Sequence, residues 1–211
     1  VKASAKKRPK VRPILWVLPS GRFYGRDHSA KSERALYENL KDELIGLKLD
    51  IIRTPHCMRS TKDFRSALSK VRSKLRSKSR PQFLFAYSRG AEIFWEILKS
   101  NNCSLKLDEV FVWGNPIDSS VSLPKDIKRL QIVAGENDLI SYCEDVTLQP
   151  TKVIEPVDYL KTAVSLVRRQ NDQAVRSHMV PRAGHILPES KEAVRYLKKW
   201  IKDGVEQCKK R

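Results

Sequence analysis

Apolar residues along this chain occur in two patterns, short dense runs and longer stretches where they recur every three or four positions. The dense runs are ILWVL at Ile14–Leu18, bounded by Pro13 and Pro19, then 49–52, FLFAY at 83–87, 110–113, 130–134 and a weaker one at 177–180. Runs of this length suit strands buried on both faces of a sheet. Between them, helical spacing joins Ala35, Leu36, Leu40, Leu44 and Leu47 over 31–47, with Ser32 as the cap. The same period links Phe64, Ala67, Leu68, Val71 and Leu75 over 61–75, and Ile93, Phe94, Ile97 and Leu98 over 90–98. It returns through Leu160, Ala163, Val164 and Val167 over 157–167, and through Val194, Leu197 and Ile201 over 193–201. Strands alternating with helices predict an α/β fold, a mostly parallel sheet of about six strands with helices on both faces.

At 211 residues the chain has the length of one domain. The reading places that domain at 13–205, with basic tails at 1–12 and 206–211. No apolar run approaches the roughly 20 residues needed to cross a bilayer, and none reads as a signal peptide. The first residue is Val1 rather than Met, which fits loss of an upstream segment. Cys57, Cys103, Cys143 and Cys208 are widely spaced and form neither a CxxC pair nor a Cys/His cluster. Free thiols and a cytoplasmic, reducing location are therefore expected, with no metal or other cofactor.

The formal net charge of +18 is the unusual feature. Lys2, Lys6, Lys7, Arg8, Lys10 and Arg12 crowd the N-terminus, and a second run includes Arg65, Arg72 and Arg76 on the helix over 61–75 and just beyond it. Such runs either solvate a tail and a helix face or attract an anionic surface or polyanion. The segment between Arg65 and Arg80 contains no aromatic side chain, so it lacks the stacking platform of a single-strand binder.

The chemistry sits where the third strand meets its helix, in Ala86-Tyr87-Ser88-Arg89-Gly90. This junction resembles the nucleophile elbow of the α/β-hydrolase family, G-x-S-x-G, with Ala86 in place of the first glycine. Two further segments follow in the order that family uses, acid then histidine. They are Ala134-Gly135-Glu136-Asn137-Asp138 after the fifth strand and Ala183-Gly184-His185-Ile186-Leu187-Pro188 before the last helix. The resemblance spans residues 13 to about 201 and implies a triad of Ser88, Asp138 and His185. The three are expected in solvent-accessible loops at strand ends.

The resemblance also implies an oxyanion hole built from the backbone N–H of Arg89 and one from the loop after the first strand, Ser20 or Gly21. Gly21, Tyr87, Asn115, Pro116, Ile117 and Leu139 are the candidate walls of a substrate pocket. Competing readings keep Ser88 as a helix cap, Glu136 or Asp118 as the acid, and His178 as the base. The interval 135–178 has one clear helix and leaves no room for a large cap domain. A compact serine esterase or acyl-thioesterase is the expected function. The alternative is a non-catalytic protein of this fold that binds nucleic acid or an acidic partner through its basic surfaces.

Overall fold

The computed structural model describes residues 12–18, 37–38, 40–42, 44, 47, 49–53, 66, 68–70, 80–99, 105–114, 117, 119–138, 140–142, 152–168 and 174–209. Its central sheet has six strands, β1 (Ile14–Leu18), β2 (Asp50–Arg53), β3 (Gln82–Tyr87), β4 (Leu107–Trp113), β6 (Ile127–Gly135) and β10 (Ala174–Val180). They lie in the order β10-β6-β4-β3-β1-β2, and every neighbouring pair is parallel. The six dense runs of the sequence are these six strands. The chain starts at β1, moves outward to β2, then returns to the other side of β1 as β3. The strand order thus reverses between β1 and β3, and open α/β sheets place their sites at the carboxyl ends of strands where the order reverses.

Alternation along the strands divides the core into two layers. Trp16, Leu18, Leu84, Ala86, Val110, Val112, Ile132 and Ala134 face one side, where they pack with α1 (Arg89–Lys99) and α2 (Pro156–Leu166). Leu15, Val17, Phe83, Phe85, Tyr87, Phe111, Trp113 and Val133 face the other, under α3 (Lys191–Lys209) and the helical residues Leu40 and Leu44. Gln82 is a buried polar exception in the central strand. Its side-chain oxygen accepts Trp16 Nε1–H at 2.7 Å, and its amide nitrogen donates to the Lys106 carbonyl at 3.1 Å. Both ends are thus satisfied, as a buried amide requires.

Several elements differ from the sequence expectation. α2 stops at Leu166 because Val167 and Arg168 form β9, a two-residue strand paired in parallel with β5 (Val121–Ser122). After β6 the chain makes a small antiparallel pair, β7 (Ile140–Tyr142) with β8 (Lys152–Ile154). Elements of two or three residues are too short to set up a period. α3 runs to Lys209, so 206–209 continue the helix instead of forming a tail. Val205, buried on the same face as Ile201, continues its apolar stripe. The sheet is wholly parallel across its described strands. Residues 66 and 68–70 are helical, as expected for the segment 61–75, while Arg65, Arg72, Arg76 and the N-terminal basic run through residue 11 lie outside the described residues.

His178 stacks flat on Tyr196 of α3, with ring centroids 4.1 Å apart and planes 7° from parallel. Burial holds its pKa below the ordinary 6.5. The fold therefore favours the neutral ring, and its contribution to stability is full above pH 6.5 and is lost as pH falls from there toward the lowered folded value. Thermal melts across that range are expected to show a smaller acid loss in His178→Gln than in the parent. An identical pH dependence in the two proteins would remove His178 from the account.

Candidate active site

Ser88 follows the last residue of β3 and adopts φ of 51°, in the left-handed region that non-glycine residues seldom occupy. The surroundings hold it there. Its N–H donates to the Trp113 carbonyl at 2.9 Å, and its own carbonyl accepts the N–H groups of Ala91 at 2.8 Å and Glu92 at 3.3 Å. α1 therefore begins directly at the serine. A Cβ at Gly90 would lie 2.1 Å from the Leu18 carbonyl oxygen, so the close approach of helix to β1 requires glycine. Ala86 is buried and in register with Leu18 on one side and Val112 on the other. Only a small side chain suits that layer of the elbow.

The acid and histidine loops are laced together by backbone. Glu136 N–H donates to the Val180 carbonyl and Asn137 N–H to the Ala183 carbonyl, each at 2.9 Å, while Asp138 N–H closes a turn on Gly135 at 3.1 Å. A Cβ on Gly135 would sit 2.2 Å from the Ala183 oxygen. This contact brings Asp138 under the imidazole. His185 Nδ1 lies 3.0 Å from Asp138 Oδ1 and 3.3 Å from Oδ2, and His185 Nε2 lies 3.1 Å from Ser88 Oγ. The three side chains form one continuous hydrogen-bonded chain.

Burial within that chain is graded and departs from the expectation of three open loop residues. Asp138 is 0% exposed and Ser88 4%, whereas the His185 side chain is 34% exposed. The carboxylate thus faces its partner from a buried position, where a charge-assisted hydrogen bond gains strength. Gly114, at φ of 42°, closes the pocket around the pair. A Cβ there would meet Asp138 Oδ2 at 2.9 Å and His185 Nδ1 at 3.4 Å, so a side chain would push into the acid–base contact.

The competing assignments are separated by position. Glu136 is exposed, and its carboxylate accepts the N–H of Arg182 at 2.8 Å, so Asp138 is the carboxylate on the histidine. His178 lies on β10 against α3, stacked on Tyr196, whereas His185 contacts Ser88. The serine side chain points to the imidazole, although Ser88 does stand at the start of a helix. Arg89 opens α1, where the first N–H groups of a helix have no intrahelical acceptor.

Two expected pocket residues have other surroundings. Tyr87 is buried, packs beside Phe85 and donates its hydroxyl to the His185 carbonyl at 3.3 Å. Ile117 is buried in the core layer shared with α1 and α2. Ser20, Gly21, Asn115, Pro116, Asp118 and Leu139 lie outside the described residues. The sequence reading missed Gly114 and Trp113, whose Nε1–H donates to the His185 carbonyl at 3.1 Å. A glycine directly after the dense run 110–113 was the signal for the first; nothing local signalled the second. Among the described residues no group of three or more His, Cys, Asp or Glu is placed to hold a metal ion, and no described helix is long and apolar enough to cross a membrane.

The parallel sheet, the serine at the turn from β3 into α1 and the acid and histidine at the ends of later strands define an α/β-hydrolase fold. No family model and no curated protein matches the sequence, and the likeness lies in the backbone. The ydeN gene product of B. subtilis superposes with a TM-score of 0.58 at 11% identity, over 92% of this chain and 99% of that one. The RedJ thioesterase of the prodiginine pathway in Streptomyces coelicolor gives 0.58 at 10% identity, over 97% and 91%. The Bacillus cereus carboxylesterase gives 0.53 at 17% identity, over 92% and 89%.

Proposed function

We propose that this protein is a serine hydrolase that cleaves a carboxylic ester or thioester through an acyl-enzyme intermediate. The observation that carries the reading is the unbroken contact chain from Asp138 through His185 to Ser88. Serine alone is a poor nucleophile, and a neutral imidazole accepting its proton at Nε2 is what activates it. As Ser88 Oγ bonds to the carbonyl carbon, its proton passes to His185 Nε2. Asp138 accepts the Nδ1–H and stabilises the imidazolium. The tetrahedral adduct then collapses, and the alcohol or thiol leaves with the proton from Nε2. Water repeats the sequence on the acyl group and releases the acid.

The oxyanion of each adduct is assigned to the Arg89 N–H, together with Ser20 or Gly21 from the loop after β1. Superposition on a carboxylesterase and a thioesterase supports both leaving-group classes. The test is labelling with a fluorophosphonate probe, then a screen of p-nitrophenyl esters and acyl thioesters of several lengths. A probe adduct on Ser88 with turnover of at least one ester or thioester is the expected result. Absence of labelling in a folded protein would remove the reading.

The basic runs belong to location more than to chemistry. Changing Arg65, Arg72 and Arg76 together to Gln is expected to weaken binding to anionic vesicles, with the loss largest at low salt, while cleavage of a small neutral ester stays unchanged. Vesicle co-sedimentation at two ionic strengths checks this. Equal binding by parent and variant would assign those charges to solubility.

A further inference from the structure

The carbonyl of His185 receives two donors that the three-residue mechanism does not use. Trp113 Nε1–H reaches it at 3.1 Å from the end of β4, and Tyr87 Oη–H at 3.3 Å from the end of β3. A carbonyl oxygen has two lone pairs, so both are occupied. The donors come from the two central strands of the sheet, and both side chains are buried. They also stand next to the nucleophile in two senses. Tyr87 is its chain neighbour, and the carbonyl of Trp113 accepts the Ser88 N–H at 2.9 Å.

Resting on the hydrolase reading above, we infer that Trp113 and Tyr87 are positioning residues that fix the backbone of the general base relative to the nucleophile. Trp113 acts as a bracket: its main chain holds Ser88 and its indole holds His185. The His185 side chain is one-third exposed and follows Gly184, around which a Cβ would find open space, so packing at that glycine does not fix the loop. The Asn137 N–H holds the loop at Ala183, and the two hydrogen bonds to the His185 carbonyl hold His185 itself. They keep Nδ1 on Asp138 while Nε2 stays within reach of Ser88. Proton transfer depends steeply on such distances, and small displacements lower turnover without changing how substrate binds.

Tyr87→Phe removes one hydroxyl and keeps the ring, while Trp113→Phe removes the indole N–H and keeps an aromatic side chain in the core. Loss of one such bond is expected to lower kcat about three- to tenfold, with KM within about twofold. The double variant is expected to lose less than the product of the single losses, because both bonds restrain one carbonyl.

The rate of fluorophosphonate labelling at Ser88 separates two kinds of failure. If the parent protein does not label, the hydrolase reading itself fails. If the parent labels, and Tyr87→Phe keeps its labelling rate, its kcat and its KM, the positioning role is overturned while the hydrolase stands. Should Trp113→Phe fold poorly, Tyr87→Phe alone decides the matter, with thermal melts showing that it stays folded.

Discussion

Replacing Ser88 or His185 with Ala is expected to lower turnover by on the order of 10³-fold or more, and the double replacement to cost little beyond either one. The losses coincide because each change disables the same step. Without the imidazole the hydroxyl keeps its proton, and without the hydroxyl the imidazole has nothing to activate. Asp138→Asn is expected to cost as much or less, since an amide NH2 donating to Nδ1 favours the wrong tautomer without emptying the buried site. All three variants should remain folded by circular dichroism, since Ser88→Ala and His185→Ala only trim side chains and Asp138→Asn preserves shape. A folded Ser88→Ala protein that hydrolyses its best ester at the parental rate would end the proposal. Multiplicative losses in the double variant would instead argue that the two residues act in separate steps.

The second large effect is expected at a position that touches no substrate. Gly135→Ala would place a methyl 2.2 Å from the Ala183 carbonyl oxygen, 2.6 Å from its carbon and 2.9 Å from the Gly184 oxygen. All three atoms are backbone, so no side chain swings aside to make room. Either β6 or the histidine loop must move, at a cost of about 2 kcal/mol or more. Because that loop carries His185, turnover per folded molecule should fall as well. Gly184→Ala is the control, since a Cβ there meets nothing within 4 Å and is expected to leave stability nearly unchanged. Urea unfolding and activity measured on both variants decide the point, and parental stability with parental turnover in Gly135→Ala would show that the loops are not held by this contact.

The sheet was legible in the sequence because a strand buried on both faces must be apolar at nearly every position, and FLFAY or ILWVL has few other uses. The candidate site was legible because Ser88, Asp138 and His185 each stand at a boundary with its own local signature: small residues around Ser88, a turn from Gly135 to Asp138, and a loop before the last helix. What escaped notice was either too short or too distant. β7 and β8 have three residues each and β5 and β9 two, too few to repeat an alternation. The bond from Trp113 to His185 joins residues 72 apart and that from Tyr87 joins residues 98 apart. In sequence both aromatics read simply as the ends of buried strands. The length of α3 was also understated, since Gly204 interrupts a stripe that Val205 resumes. Burial of Asp138 was hidden for a related reason: a carboxylate in a turn reads as exposed until its distant partner is placed beside it.

The order of strands has a consequence for how this protein would fail. Among the described strands β10 is the outermost on its side of the sheet, bonded to β6 alone, and the histidine loop follows directly from it. Ser88 and Asp138, by contrast, follow strands with neighbours on both sides. Sheets fray from their margins, where opening breaks one ladder instead of two. Detachment of that margin would carry His185 away while Ser88 and most of the core stayed in place. On the proposed hydrolase reading, catalytic competence and global folding are then two different quantities, and the first is set by the weaker seam.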